Sequence, residues 1–113
     1  MSLVPAKDAR VVFVTVPDPE IGAKLARVLL EQRLIACANI VPGLRSLYHW
    51  EGKLCDEAEA LLILKTEAGQ LLELEAAVQA QHPYENPEFL ALTVAEGSSG
   101  YLEWLRQGVQ AVE

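Results

Sequence analysis

The sequence predicts a single α+β domain whose strands and helices follow the order β-α-β-β-α-β. Three observations predict it: β-branched runs typical of strands, stretches with apolar residues at helical spacing, and proline or glycine at most segment ends. At 113 residues the chain has the usual length of one domain and is too short for two. We expect the domain to span residues 11–113, with a flexible N-terminal tail over residues 1–10.

The first strand and helix carry clear boundary signals. Residues 11–16 form a β-branched run that ends at Pro17, which indicates a buried central strand. Asp18 is a good N-cap residue and Pro19 suits the first position of a helix. Apolar residues then recur at helical spacing, so the helix is predicted to continue to about Arg33.

A long hairpin is predicted to follow. Its first strand covers residues 35–50 and is interrupted by Pro42-Gly43, a pair that indicates a β-bulge inside a strand. Glu51-Gly52 is the candidate turn, and residues 53–66 form the second strand. The two strands are therefore expected to pair along most of their length.

The last part of the chain repeats the alternation of helix and strand. A helix over residues 69–81 is ended by His82-Pro83, because a residue before proline avoids the helical region. A strand over residues 89–94 and a turn over residues 96–99, with a serine N-cap, precede a last helix. This extra C-terminal helix carries Leu102, Leu105 and Val109.

The order of elements is the split β-α-β, or ferredoxin-like, arrangement. It predicts a four-stranded antiparallel sheet with both crossover helices on one face. Residues 34–50 would reach about 55 Å if straight, whereas a compact domain of this length is about 35 Å across. The hairpin is expected to project and to expose aromatic side chains, and both faces of the sheet are apolar. We therefore expect self-association into a closed ring, and the alternative is a hairpin folded back over its own sheet.

The composition argues against several classes of function. The formal net charge is −7 and the nine basic residues are scattered, so nucleic acid is not an expected partner. No run of about 18 apolar residues occurs, so no membrane span is predicted. The N-terminus lacks the apolar region of a secretory signal, and Cys37 and Cys55 are expected to be reduced thiols in a cytoplasmic protein.

Five segments, taken in order, indicate one known family. They are residues 36–43 (ACANIVPG), 46–53 (SLYHWEGK), 59–66 (EALLILKT), 82–88 (HPYENPE) and 101–105 (YLEWL). Over about residues 11 to 107 the chain resembles the CutA family of divalent-cation-tolerance proteins. The resemblance implies a ferredoxin-like fold, a tight homotrimer similar to PII-like signalling proteins, and a link to copper and other divalent metals. It implies no known reaction.

Four side chains are candidate metal ligands: Cys37, His82, Glu85 and Glu88. A cysteine thiolate suits soft ions such as Cu(I), and a trimer would bring several copies together. A cysteine between two alanines in a strand is also typical of a core position. The segment from His82 to Glu88 presents an imidazole, a phenol and carboxylates on a stiff loop. Its alternative role is structural, with His82 capping the helix.

Five side chains are expected to line a cleft between subunits: Tyr48, Trp50, Glu59, Lys65 and Tyr84. Glu59 and Lys65 are evenly spaced on one strand, so they share a face and form either an ion pair or a ligand clamp. Aromatic residues at such positions serve equally as interface anchors.

The sequence thus predicts a homotrimeric protein of divalent metal ion tolerance that binds copper or another divalent cation, none of them tightly. One alternative is a PII-like trimer that senses a small molecule at the cleft between subunits. No phosphate-binding loop, HExxH, CxxC pair or nucleophile elbow occurs, so an enzyme is not expected. An enzyme that uses Lys65, Tyr84 and Glu85 for acid-base chemistry is the remaining alternative.

Overall fold

The computed structural model describes residues 2–109, which form two sheets and three α-helices. In chain order the elements are β1 (Leu3–Pro5), β2 (Ala9–Val16), α1 (Pro19–Glu31), β3 (Cys37–Trp50), β4 (Lys53–Glu67), a 3₁₀ turn (Ala68–Gln70), α2 (Leu71–Gln81), β5 (Leu90–Thr93), β6 (Glu96–Ser98) and α3 (Ser99–Gly108). None of these helices has both the length and the apolar character needed to cross a membrane.

The main sheet has four strands in the order β3-β4-β2-β5, and each neighbouring pair is antiparallel. This confirms the predicted α+β class and the four-stranded antiparallel sheet. The strand order is the one expected when two β-α-β units share a sheet. β3 and β5 are the edge strands, so the long hairpin lies at one side of the sheet.

One face of the main sheet, here called the inner face, is closed by α1 and α2. Val12, Val14 and Leu62 are among its fully buried side chains, and they pack against Leu29 of α1 and Leu74 of α2. The predicted N-cap is present, since the Asp18 carboxylate accepts a hydrogen bond from the backbone of the first helical turn at 2.8 Å. The alternating pattern of the strands therefore produces one dry core.

The other face, here called the open face, carries the alternate side chains of the same strands. Strand register places Val11 beside Leu92 and places Phe13 between Leu90 and Ile63. Leu90 is 57% exposed, and Val41 and Leu92 are also exposed. An apolar surface therefore remains uncovered by the described chain.

The hairpin of β3 and β4 projects from the rest of the domain. Its register shifts between Val41 and Leu44, so the bulge predicted at Pro42-Gly43 is confirmed. Glu51 and Gly52 both have positive φ, as a tight hairpin turn requires. The molecule measures 48 × 30 × 21 Å, and Leu47 near the hairpin tip is 61% exposed. The hairpin is not folded back onto its own sheet.

The predicted flexible tail over residues 1–10 has to be corrected. β1 pairs antiparallel with β6, and β2 begins at Ala9 rather than at residue 11. Ala6 and Ala9 are buried against Leu105 of α3, which anchors this end of the chain in a second small core. The turn predicted over residues 96–99 is largely β6. Residue 1 and residues 110–113 of the predicted tail and domain lie outside the described residues.

Candidate functional site

A cleft of about 850 Å³ lies where the projecting hairpin meets the loop between α2 and β5. Its walls come from Thr15 of β2, residues 45–48 and Trp50 of β3, Glu59 of β4, and residues 84–88 of the loop. The cleft thus combines aromatic rings and carboxylates from parts of the chain that are far apart in sequence.

The bulge brings the hairpin side chains to this cleft. Beyond it Leu44 lies opposite Glu59, and Tyr48 lies opposite Cys55. Residues paired across antiparallel strands project from the same face, so Tyr48 and Glu59 share the open face. Trp50 has the same parity as Tyr48 and follows it along β3. The prediction that Tyr48, Trp50, Glu59 and Tyr84 line one cleft agrees with the geometry of the single chain.

A chain of hydrogen bonds fixes Tyr84 over Glu59. His82 is buried, and its Nδ1 accepts from the Tyr84 backbone N–H at 3.0 Å. The remaining ring nitrogen, Nε2, therefore carries the proton and donates to the carbonyl oxygen of Thr15 at 2.8 Å. The Tyr84 hydroxyl then donates to Glu59 Oε2 at 2.7 Å. His82 thus positions the loop that forms one wall of the cleft.

These contacts oppose the predicted role of His82 as a metal ligand. A histidine binds a metal through a free nitrogen lone pair, and the lone pair of Nδ1 is already used by a backbone N–H. The alternative structural role of His82 is the one that the geometry supports. A sequence pattern shows that a histidine follows a helix, but it cannot show the backbone groups that the ring meets.

Glu59 is the most buried carboxylate of the cleft. It is 8% exposed, and the Tyr84 hydroxyl is its one hydrogen-bond partner among residues 2–109. No lysine or arginine forms a salt bridge with it in the described part of the chain. Burial, followed by the hydrogen bond to Glu59, raises the pKa of Tyr84 well above its usual range, so its hydroxyl keeps its proton.

Glu88 lies on the loop that faces Glu59, and the charge of Glu59 affects its pKa. Burial is the main cause that raises the pKa of Glu88 above its ordinary value, and the negative charge of Glu59 raises it further. The pKa of Tyr48 is raised by burial first and then by the charges of Cys55, Glu57 and Glu59. The cleft is therefore a region of negative potential with aromatic walls.

Lys65 does not line this cleft in the single chain, and its place in a cleft between subunits stays a prediction. Its ammonium lies 5.9 Å from the centre of the Tyr101 ring in α3. The six residue steps from Glu59 to Lys65 span about 20 Å of strand, which is too far for an ion pair within one chain. Even spacing correctly placed both side chains on one face but said nothing about the distance between them.

The four predicted metal ligands do not gather in the single chain. Cys37 begins β3 and lies opposite Lys65 on the open face, where it is partly exposed rather than in the core. Glu85 and Glu88 line the cleft. Within residues 2–109, no three His, Cys, Asp or Glu side chains are close enough to hold a metal ion.

Two features of the cleft were not expected from the sequence. Arg45 forms a bidentate pair with Asp56 at 2.9 and 2.7 Å, which lowers the pKa of that carboxyl. The Thr15 carbonyl is the anchor of His82. Strand alternation alone does not show that positions 45 and 56 are near each other. The shifted register beyond the bulge is also needed, and the sequence does not give it. A backbone carbonyl gives no sequence signal.

Comparison with known proteins identifies the family. The family described as CutA1 divalent ion tolerance protein matches residues 10–108. The chain belongs to this family. It is 47% identical over 97 residues to the divalent-cation tolerance protein CutA of Thermus thermophilus, which covers 86% of this chain and 94% of that one. The resemblance drawn from the five sequence segments is thus confirmed.

Plant and cyanobacterial CutA proteins show the same similarity. The chain is 48% identical over 100 residues to the chloroplastic protein CutA of Arabidopsis thaliana, and the match covers 88% of this chain but 55% of that protein. The structure of CutA from Synechococcus elongatus PCC7942 superimposes with a TM-score of 0.92 at 37% identity, covering 96% of each chain. The CutA fold thus extends over nearly all of this chain.

Proposed function

We propose that this CutA chain acts in the response to divalent metal ions as a cytoplasmic, non-enzymatic homotrimer that binds a divalent cation weakly in its cleft. Membership of a divalent ion tolerance family supports the cellular role. The cation is copper or another divalent ion. The proposal has two parts, assembly and cation binding, and each has its own support.

The open face supports assembly. Phe13 and Ile63 lie side by side at its centre, and Leu90 and Leu92 continue the apolar surface to the sheet edge. Leaving such side chains in water forfeits about 25 cal/mol for each Å² of apolar surface that a neighbour would bury. Three copies arranged around an axis would cover the face of each subunit in the same way. The cleft, which lies on the same face, would then border a neighbouring subunit.

The pair of carboxylates in the cleft carries the proposal for cation binding. Glu59 and Glu88 both line the cleft, and the negative charge of Glu59 adds to the burial that raises the pKa of Glu88. A divalent cation between them would replace this repulsion with two attractive contacts. Oxygen ligands of this type suit hard cations, and two carboxylates with water suffice for a weakly held ion. Among first-row ions, Cu²⁺ would bind such a site more strongly than Zn²⁺.

Isothermal titration with Cu(II), Zn(II) and Mn(II) tests the proposal. Glu59→Gln and Glu88→Gln should each weaken binding by about tenfold, since each removes one of two charged ligands. Glu75→Gln, on an exposed part of α2, is the matched control with the same change of net charge. Cys37→Ala should leave Cu(II) binding unchanged. Equal affinities in wild type, Glu59→Gln and Glu88→Gln would refute the cleft as the metal site.

The size of the cleft favours a second candidate function, the sensing of a small molecule. Its volume of about 850 Å³ lies within the range of about 300–1,000 Å³ that is usual for organic ligands. Aromatic side chains and a few polar groups form its walls, as in many such sites. Mass spectrometry of protein purified gently from cells tests this candidate, which requires an organic molecule to remain with the intact assembly.

A further inference from the structure

The cleft contains a negative charge that no described side chain neutralises. The Glu59 side chain is more than nine-tenths buried and accepts one hydrogen bond, from the neutral Tyr84 hydroxyl. Its second carboxylate oxygen has no hydrogen-bond partner within residues 2–109 and is not sealed from the cleft. A buried carboxylate is costly unless a cation or several donors accompany it. The free oxygen of Glu59 is therefore available to a positively charged group that enters the cleft.

The other charged side chains of the cleft add to its negative charge. Glu85 and Glu88 add two carboxylates to the walls of the cleft. Arg45 is the one lysine or arginine among the lining residues that the structure describes, and its Nε and Nη2 both donate to Asp56. Its side chain is 74% exposed, so it is directed at a surface partner and at water. The cleft therefore keeps an excess of negative charge.

The remaining walls are suited to a carbon skeleton. Tyr48 and Trp50 keep 41% and 49% of their surface exposed while lining the cleft. Electron-rich aromatic faces attract organic cations within about 6 Å of the ring centre. A single metal ion, even with its first water shell, would fill a small part of about 850 Å³ and would not contact both rings.

We infer that the cleft binds a small organic cation, with an ammonium or guanidinium group on Glu59 and Glu88 and an apolar chain against Tyr48 and Trp50. This inference rests on the second candidate function, that the cleft takes a small molecule, and it names the chemical class. The charged group satisfies the free oxygen of Glu59, and the apolar chain covers the aromatic walls. Anionic ligands such as nucleotides are repelled by the same carboxylates.

Three probes of equal length test the role of charge on the full chain. Calorimetric titration with 1,4-diaminobutane should show binding, whereas the neutral 1,4-butanediol and the anionic succinate should bind at least about tenfold more weakly. Glu59→Gln and Glu88→Gln should each weaken diamine binding by about tenfold, and Glu75→Gln should not change it. Trp50→Leu should also weaken diamine binding, because an aliphatic side chain has no aromatic face.

The outcomes separate this inference from the proposed metal function. Diol binding as tight as diamine binding would overturn the inference, as would diamine binding that is unchanged in Glu88→Gln. Metal binding that needs Glu88, with no diamine binding, would overturn the inference and leave the metal proposal intact. Organic molecules that remain with the purified protein but are neutral or anionic would overturn it while supporting small-molecule sensing.

A basic side chain from a second copy of the chain is the competing partner for Glu59. Carbodiimide couples a carboxylate directly to a lysine that touches it, so ligand-free protein can be cross-linked and mapped by mass spectrometry. The inference predicts no link between Glu59 and a lysine of another copy. A Glu59–lysine link between copies would overturn it, because the charge would then be satisfied by the assembly itself.

Discussion

The two faces of the main sheet are formed by the same strands but differ in how far their side chains are buried. On the inner face, Val14 and Leu62 are completely buried under α1 and α2. On the open face, Phe13 and Ile63 alternate with them along the same strands but are only half-buried. The described residues thus complete one face by themselves and leave much of the other, which is apolar, uncovered.

This difference separates the burial that stabilises the single chain from the burial that would need another copy. Burial of the inner face stabilises the single chain, and its side chains pack so closely that a methyl group added at Gly22 would lie 3.0 Å from Leu62 and 3.1 Å from Val16. The open face adds little until another copy covers it. The cleft with Glu59 and Glu88 lies on the open face, so ligand binding there would be linked to the proposed assembly.

Truncating neighbouring residues of β4 compares the two faces directly and carries the largest expected effect. Leu62→Ala should lower the free energy of unfolding by about 2–5 kcal/mol, because it opens a cavity in a closed core. In a dilute single chain, Ile63→Ala should lower the free energy of unfolding by less than about half as much. The loss should be larger once assembly buries this side chain. Urea titrations at two protein concentrations measure both. Equal costs at every concentration would contradict the distinction between the faces.

A charge on the open face should break assembly without unfolding the chain. Leu92→Asp should shift the protein to the mass of one subunit, since burying an unpaired carboxylate at an interface costs several kcal/mol. Leu72→Asp is the control, because Leu72 of α2 is 85% exposed. Sedimentation velocity and circular dichroism report mass and secondary structure. An unchanged mass for Leu92→Asp would show that this edge does not take part in assembly.

Removing the Tyr84 hydroxyl tests the support of the cleft. Tyr84→Phe should destabilise the protein by about 1–3 kcal/mol, since Glu59 would lose its hydrogen-bond donor while staying buried. Tyr101→Phe is the control, because Tyr101 is exposed in α3. Thermal or urea unfolding at neutral pH measures the difference. Similar stability of both variants would indicate that water or another group replaces the hydroxyl.

Two carboxylates should give small pH effects of opposite sign. The pKa of Glu88 is raised above 4.5, so its contribution to stability falls as pH rises from 4.5 through the folded-state value. The pKa of Asp56 is lowered below 3.8 by Arg45, so its contribution is present above 3.8 and is lost as pH falls through the folded-state value.

Stability profiles from pH 2 to 8 test these signs. Glu88→Gln should reduce the loss of stability as pH rises above 4.5. Asp56→Asn should reduce the loss of stability as pH falls below 3.8. Because both groups are partly or fully solvated, each change should be small. Profiles that change in the reverse sense would contradict the assigned environments.

Much of the fold could be predicted from the sequence because local signals agreed with each other. The β-branched run before Pro17, the N-cap at Asp18 and the bulge at Pro42-Gly43 each have a local physical cause. The pairing of β1 with β6 could not be predicted. Its three-residue strands have no period, and their pairing depends on the distant contact of Ala6 with α3.

The candidate site was predictable only in part. Strand alternation and the composition of the loop predicted that Tyr48, Glu59 and Tyr84 lie near each other, and all three line the cleft. Both signals depend on short-range geometry. The partners of His82 and Lys65 were missed, since each lies far away along the chain. A periodic pattern gives the direction of a side chain, whereas the atom that it meets depends on tertiary structure.

Native mass spectrometry at micromolar protein concentration tests the central claim, that other copies of the chain cover the open face. We predict a single species with three times the 12.4 kDa mass of one chain. Leu92→Asp provides the single-chain reference in the same experiment. A wild-type protein that stays at 12.4 kDa, with Leu90 and Leu92 still reachable by solvent labelling, would contradict the account.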